Sequence, residues 1–392
     1  MQLLNAALYE AIQPITNICE VKNKYLTNTS SWLEQVRYSA NFCPSTLACG
    51  KDPGAGYGKA IYGELAVVVP SAYSVVRDRS IRHHETISKN GAWVRYVEGS
   101  RTDLKDKQFF WGSAAIAQTD HILLHEDKAK KAELALEAIL CDLAVINIAN
   151  ESRLEISLST HNPEKWSVEI ERKVKGNHTF EHKHPISREL ITKTIEIDVT
   201  GVYPEGFGNI AYCLFGDSSL KLDSSDLAVS LDVGSSTCII TCFDGSGSVI
   251  DRHLIEGGTG ELFAAIAEQM DNCNDQLSRM ATDIKHDPFL VSKGVIENTF
   301  KYGQNSLISQ DFRQEYDRCL EMWWMPRLSK LASFVAGGNY LERASSFVAW
   351  GGGVQLPGLN ERLIELGFEI LDSPQFINAH GLKLLTEVAQ GV

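Results

Sequence analysis

Residues 227–243 read LAVSLDVGSSTCIITCF, in which two apolar segments flank a short polar turn. The pattern predicts two strands joined by a turn that carries one carboxylate, one glycine and three hydroxyl groups. Glycine lets the backbone approach an anion, and N–H groups with small hydroxyls can surround a phosphate. A tight turn in a β-meander would need the same residue types. The candidate phosphate-binding residues are Asp232, Gly234, Ser235, Ser236 and Thr237.

An earlier stretch, residues 52–59 with the sequence DPGAGYGK, has the same character. Its glycines can present N–H groups to an anion, its lysine supplies a mobile positive charge, and its aspartate can hold a magnesium-bound water. The stretch does not match the Walker A pattern, and a plain hairpin turn is the alternative interpretation. The candidate residues are Asp52, Gly54, Gly56, Gly58 and Lys59.

The two aspartate-led turns are about 180 residues apart, and each opens one half of the chain. This duplication favours a shared phosphate site over two unrelated hairpins. A third stretch, AWGGGVQLPG at 349–358, predicts a strand that ends in three glycines before a helix. Such a bend would let a base and ribose lie against bare backbone at Gly351, Gly352 and Gly353, although a simple strand-to-helix linker has the same composition.

In this order, the three motifs resemble those of the actin, Hsp70 and sugar-kinase superfamily. Within it, the chain is most similar to actin-like proteins of the ParM type, which segregate plasmids. The segment GVYPEGFGNIAY at 201–212 resembles the family segment that carries a catalytic glutamate, and SPQFINAHGLKLL at 373–385 resembles its closing helix. The resemblance covers residues 48–392. The family usually starts its first loop close to the N-terminus, so residues 1–47 are a departure.

The resemblance implies an α/β actin-like fold with two duplicated ribonuclease H-like domains and a nucleotide cleft between them. The domains expected are an N-terminal extension at 1–47, domain I at 48–215 and domain II at 216–360. A C-terminal segment at 361–392 is expected to pack back toward domain I.

The resemblance also implies a mechanism. ATP or GTP would be bound with Mg²⁺, which Asp52 and Asp232 would hold through water, and Lys59 would contact the β- and γ-phosphates. Glu205 would orient the attacking water, so Glu205 and Asp232 are the expected catalytic residues. Hydrolysis would be coupled to assembly of the protein with itself into filaments, and a DNA-bound adaptor protein is the expected partner.

Composition agrees with a nucleotide-binding protein of two domains. The chain has 392 residues and a net charge of −13, which disfavours direct DNA binding because phosphates would be repelled. Nine cysteines without zinc-type spacing predict reduced thiols and a cytoplasmic location. The N-terminal sequence makes a poor signal peptide, and the sequence has no apolar run of membrane-spanning length.

Two other functions of the same superfamily are the alternatives. A sugar or acetate kinase would need a substrate-binding insert, and no convincing one is apparent in the sequence. An Hsp70-type chaperone would need a peptide-binding domain after the nucleotide unit, for which the chain leaves no room.

Several further segments carry expectations. The apolar pattern predicts antiparallel, partly exposed strands at 153–160, 166–174 and 191–204. The histidines His178, His182 and His184 predict a polar hairpin, with a metal site as the alternative. Trp323 and Trp324 predict core packing within a helix, with a contact between protomers as the alternative.

Overall fold

The computed structural model describes residues 26–27, 46–76, 90–125, 127–146, 148–184, 188–216, 220, 222–273, 285–303 and 309–391. The chain divides into two compact units. The first unit lies within Asn23–Lys221 and Gln375–Val392, and the second includes Leu222–Pro374. The chain thus builds most of the first unit, then the second, and finally returns to the first.

Within the described residues of the first unit, eleven strands form one mixed sheet. In chain order these strands are β1 (Leu26–Thr27), β2 (Thr46–Pro53), β3 (Tyr57–Tyr62), β4 (Leu65–Pro70), β5 (Ala72–Val75), β6 (Gly91–Gly99), β7 (Gln108–Gly112), β8 (Ile122–Leu123), β9 (Glu151–Thr160), β10 (Gly176–Lys183) and β11 (Leu190–Pro204). Their spatial order across the sheet is β1-β4-β3-β2-β9-β11-β10-β6-β7-β5-β8. The neighbours β2, β9 and β11 are parallel. Their carboxyl ends therefore meet at one edge of the sheet, where ligands of α/β proteins commonly bind.

The helices of this unit are α1 (Ser113–Ile116), α2 (Lys128–Glu133), α3 (Ala135–Val145), α4 (Pro163–Val174) and α5 (Phe207–Phe215). The strand predicted at 166–174 is wrong, because this segment is α4. Asn162 caps the helix by accepting a hydrogen bond from the Lys165 N–H, and Pro163 occupies the first helical turn. Ile170 and Val174 are the buried residues of α4, and their spacing of four fits a helix as well as a strand.

The orientation predicted for the strand at 153–160 is also wrong. This strand is β9, which runs parallel to both β2 and β11 rather than antiparallel to its neighbours. Its residues are buried from Ile156 to Thr160, as expected for a central parallel strand covered on both faces. The segment treated as an N-terminal extension also contributes to the fold, because Leu26–Thr27 pairs with β4, and β2 begins at Thr46.

The second unit is built on a five-stranded sheet with the order β14-β13-β12-β17-β18. The strands of this sheet are β12 (Leu227–Val233), β13 (Thr237–Asp244), β14 (Val249–Glu256), β17 (Ala344–Trp350) and β18 (Glu369–Ile370). The strands β15 (Lys301–Tyr302) and β16 (Gln310–Asp311) pair with each other in a separate two-stranded sheet. The helices of the second unit are α6 (Thr259–Cys273), α7 (Pro288–Ile296), α8 (Arg313–Gly337), α9 (Tyr340–Arg343) and α10 (Leu359–Glu365). Trp323 and Trp324 of α8 lie in the hydrophobic core, which confirms the core interpretation. Of the helices that the structure describes, none has the length and apolar character to cross a membrane.

The C-terminal helix α11 (Ile377–Gln390) packs on the sheet of the first unit. A β-carbon built on Gly50 of β2 would lie 2.0 Å from the carbonyl oxygen of Ala379, so only glycine permits this approach. The Thr386 hydroxyl donates to the Cys49 carbonyl oxygen over 3.0 Å. The helix is therefore fixed directly to β2, the strand that leads into Asp52.

From β1 onward, the chain passes from one unit to the other at Lys221–Leu222 and at Pro374–Gln375. The domain boundaries predicted from the sequence lie after residues 215 and 360. Residues 361–374 stay with the second unit because β18 pairs with β17 in a parallel register, with Val348 opposite Glu369. The return to the first unit starts only after this last strand.

The histidines lie on an antiparallel hairpin, β10–β11, as predicted, but the polar surroundings predicted for them are wrong for two of the three. His178 is fully buried in β10, where its ring nitrogens lie 2.9 Å from the Tyr96 hydroxyl and 2.9 Å from the Val174 carbonyl oxygen. His182 is also buried, at 2% exposure, on the same face of β10. Across the described residues, no group of three histidine, cysteine or acidic side chains is placed to hold a metal ion.

Buried His182 should make the fold sensitive to acid. Burial lowers the pKa of this imidazole from 6.5 to about 3, and the charge of Lys193 acts in the same direction. Between these values the unfolded chain binds a proton that the folded chain does not, so the free energy of unfolding falls as the pH decreases. The expected loss from this group is about 2 kcal/mol at pH 5 relative to pH 7.5. Urea unfolding at both pH values measures it.

The variant His182→Leu should lose this share of the acid sensitivity. His253→Gln, on an exposed position of β14, is the matched control and should retain the wild-type pH dependence. An equal loss of stability at pH 5 in His182→Leu and in the wild-type protein would contradict the assignment.

Candidate functional site

Asp52 lies at the carboxyl end of β2, one residue before the strand ends and the loop to β3 begins. The Ser159 hydroxyl donates to Asp52 Oδ1 over 3.0 Å, and Lys59 Nζ lies 3.9 Å from Asp52 Oδ2. Asp52 and Lys59 are opposite each other in the antiparallel pairing of β2 with β3, and this register brings the two side chains together. The Asp52 and Lys59 side chains are 14% and 17% exposed, so an anion and a cation both remain accessible at this loop.

The turn itself is tied down by Ser71, the residue that follows β4. The Ser71 hydroxyl donates to the Gly54 carbonyl oxygen over 2.6 Å, and the Ser71 N–H donates to the Gly56 carbonyl oxygen over 2.9 Å. Gly58 lies opposite Pro53 at the start of β3. With two carbonyl groups bonded to Ser71, the loop is held in a fixed shape.

Lys51, the residue just before Asp52, forms a buried ion pair. Lys51 is 2% exposed, and its Nζ lies 2.5 Å from Asp142 Oδ2, to which the Tyr62 hydroxyl also donates over 3.0 Å. No sequence motif contains both residues of this pair, because Asp142 lies 91 residues away in helix α3. Asp142 and Glu137 are the two charged residues in the mostly apolar helix α3, and such buried carboxylates are the signal that points to a partner elsewhere in the chain.

Glu205 follows β11 and lies at the same sheet edge as Asp52. Pro204 of β11 is opposite Thr160 of β9, and the Glu205 N–H donates to the Thr160 carbonyl oxygen over 3.0 Å. The Glu205 carboxylate is 29% exposed, and Lys131 Nζ of α2 lies 2.5 Å from its Oε1. The first unit thus places two carboxylates and two lysines along the carboxyl ends of its parallel strands.

In the second unit, Asp232 is the penultimate residue of the buried central strand β12, opposite Ile239 of β13 and Trp350 of β17. The following turn is closed by a hydrogen bond from the Gly234 N–H to the Thr237 carbonyl oxygen, over 2.9 Å. Its residues from Gly234 to Thr237, with Ser235 and Ser236, are all half-buried.

The glycine triplet lies against this turn. Gly351 has φ +88°, and a β-carbon built on it would lie 2.5 Å from Asp232 Oδ1. Gly352 and Gly353 begin a 3-10 turn, Gly352–Gln355, which leads to α10. The structure therefore brings Asp232, its turn and the glycine triplet together in one unit.

A pair of glycines, Gly257 and Gly258, lies next to the same turn and belongs to none of the three sequence motifs. A β-carbon built on Gly258 would lie 2.3 Å from the Gly234 carbonyl oxygen, and the Thr259 N–H donates to that oxygen over 3.0 Å. The carbonyl groups of Gly257 and Gly258 accept hydrogen bonds from Arg327 Nε, over 2.9 Å, and Trp323 Nε1, over 3.0 Å. A glycine pair between a strand and a helix N-terminus is the signal that could identify this corner.

The comparisons with known proteins agree with this architecture. Residues 50–208 match the model of the N-terminal domain of actin-like proteins. The structure is similar to Bacillus thuringiensis ParM with ATP, at a TM-score of 0.61 and 16% identity, covering 89% of this chain and 100% of that one. It is also similar to an archaeal actin homologue, at a TM-score of 0.63 and 16% identity, over 88% and 100% of the chains. The apo ParM of pSK41 gives a TM-score of 0.60 at 15% identity, over 89% and 99%. No curated protein sequence is significantly similar to this chain.

Proposed function

From the actin-like, ParM-type fold of this chain, we propose that the protein binds and hydrolyses a magnesium nucleotide, ATP or GTP, and polymerises into filaments. The observation that carries the proposal is the repeated hairpin. Each unit has a strand that leads into an aspartate, Asp52 or Asp232, followed by a glycine-containing turn held by hydrogen bonds.

The residues present suit a nucleotide. Lys59 gives the first turn a positive charge for the β- and γ-phosphates, and the N–H groups of Gly54–Gly58 and Gly234–Thr237 are candidate donors to phosphate oxygens. Close contact with Asp232 and Val233 requires glycine at position 351, so the glycine triplet places bare backbone beside the second turn, where we propose that the nucleoside lies. Mg²⁺, when bound, neutralises phosphate charge, and Asp52 and Asp232 would hold it through water.

Glu205 is the residue that we assign to hydrolysis. A carboxylate can accept a hydrogen bond from a water molecule and orient it for attack on a phosphate. Glu205 is partly exposed, and it shares the sheet edge with Asp52. Its backbone is fixed by the bond to Thr160, which limits the directions that the carboxylate can take.

Filament formation and a role in plasmid DNA segregation are the finer parts of the proposal. They rest on the likeness in fold to ParM structures, one of which was solved with ATP and another with ADP. The net charge of −13 opposes direct contact with DNA, so a DNA-bound adaptor protein is the proposed link to cargo.

Sedimentation and light scattering with phosphate release test the function. The purified protein should pellet and release phosphate after addition of ATP or GTP with Mg²⁺, and chelation of the metal with EDTA should prevent both. Transfer of phosphate to a sugar or to acetate without any assembly would contradict the proposal and support a small-molecule kinase.

A further inference from the structure

Two neighbouring lysines of α2 lie in very different surroundings. Lys131 is 5% exposed, and its Nζ lies 2.5 Å from Glu205 Oε1. Lys130 is 35% exposed and forms an ordinary surface pair with Glu133 three residues later. Placing an ammonium group out of water costs several kcal/mol unless a partner compensates it, whereas a surface pair contributes little. Glu205 is the partner that makes the burial of Lys131 tolerable.

The helix that carries Lys131 is itself fixed at both ends. Asp127 caps its start by accepting a hydrogen bond from the Ala129 N–H over 3.0 Å. At its end, Lys173 Nζ of α4 donates to the Glu133 carbonyl oxygen over 3.3 Å. The position of the Lys131 ammonium is therefore determined by the fold and not by a flexible surface helix.

Two contacts restrict the position of Glu205. Its N–H donates to the Thr160 carbonyl oxygen, which fixes the backbone at the end of β9, and Lys131 contacts one carboxylate oxygen. A carboxylate has about four lone-pair sites on its two oxygens, so a carboxylate bound to an ammonium group can accept further hydrogen bonds. Binding of one oxygen restricts rotation of the carboxylate and hence the direction in which the other oxygen points.

We propose that Lys131 is a positioning residue for hydrolysis, which holds the Glu205 carboxylate in the orientation that aligns the attacking water. The inference rests on the proposed function, because it presupposes that Glu205 orients this water. It adds a residue of α2, an element outside the three glycine motifs, to the groups on which turnover depends. Lys131 itself is not assigned a contact with the nucleotide.

The variant Lys131→Met, which keeps an apolar side chain of similar length, should lower kcat for nucleotide hydrolysis roughly 10- to 100-fold. The KM for the nucleotide should stay within about twofold, because the phosphate turns are untouched. Lys131→Arg, which retains a cation, should recover part of kcat. Lys130→Met removes the same charge from the adjacent position and should keep the wild-type kcat and KM.

A double-variant comparison separates positioning from a general effect on the fold. In a Glu205→Gln background, Lys131→Met should cause little further loss of kcat, because the carboxylate that it positions is absent. Full additivity of the two losses, or a wild-type kcat in Lys131→Met, would overturn the inference. If Glu205→Gln itself retains wild-type kcat, the assignment of Glu205 within the proposed function fails instead. Urea unfolding of every variant shows whether the folded population is the same.

Discussion

Replacement of Asp232 by alanine is expected to weaken Mg²⁺-dependent nucleotide binding about 100-fold, the largest loss of nucleotide affinity that we expect from any single change. A carboxylate that holds a metal through water typically contributes 10- to 100-fold to metal affinity. Asp232 would also help to shape the turn, because its Oδ1 lies next to Gly351. Titration of the variant with a fluorescent ATP analogue, with and without Mg²⁺, measures the effect.

Asp244→Ala is the matched control for this variant. Asp244 ends β13, the neighbour of β12, and its Oδ1 accepts hydrogen bonds from the N–H groups of Ser246, over 2.9 Å, and Ser248, over 3.0 Å. Its removal should loosen that exposed turn and leave nucleotide affinity unchanged. An Asp232→Ala protein with wild-type affinity for Mg-ATP and Mg-GTP would show that this turn is not a phosphate site.

Glu205→Gln is expected to lower kcat for hydrolysis about 10²- to 10³-fold while nucleotide affinity is retained. Glutamine keeps an oxygen that can accept the Lys131 hydrogen bond, so the buried ammonium is not left without a partner. The negative charge that would bind the water is lost. Filaments that form with this variant should outlast those of the wild type, because nucleotide turnover would no longer drive disassembly.

Single-turnover phosphate release and the rate at which preformed filaments lose scattering measure both expectations for Glu205→Gln. Glu196→Gln changes an exposed glutamate of the same strand, β11, and serves as the control. Turnover in Glu205→Gln equal to that of Glu196→Gln would remove Glu205 from the mechanism.

The two hairpins could be predicted because their signals are local. In each, an apolar strand, an aspartate and a glycine turn are contiguous in sequence, and the structure forms β2–β3 and β12–β13 at those positions. The predicted actin-like fold is confirmed by the match over residues 50–208 and by the likeness to ParM structures. The roles of the residues in the hairpins stay predictions.

The features that sequence reasoning missed depend on contacts between distant segments. The pairs Lys51–Asp142 and Lys131–Glu205 join residues 91 and 74 positions apart, which no motif contains. The error at 166–174 has a different origin, because its apolar spacing fits two periodicities and the helix-capping residues Asn162 and Pro163 decide between them. The Gly257–Gly258 corner has a local sequence signal, a glycine pair between a strand and a helix, but it lacks the aspartate that marks the other two turns.

The contact between β2 and α11 has a consequence for how the protein is made on the ribosome. Thr386 and Cys49, which are hydrogen-bonded in the folded protein, are separated by 337 residues. At about 5 to 20 residues per second, β2 is synthesised roughly 20 to 70 s before the helix that covers it. During that interval the sheet face that α11 will cover, including Ile61 of β3 and Ala66 of β4, stays exposed while the second unit emerges and folds. We therefore expect nascent chains arrested before Ile377 to be captured by chaperones or to aggregate, even when their second unit is complete.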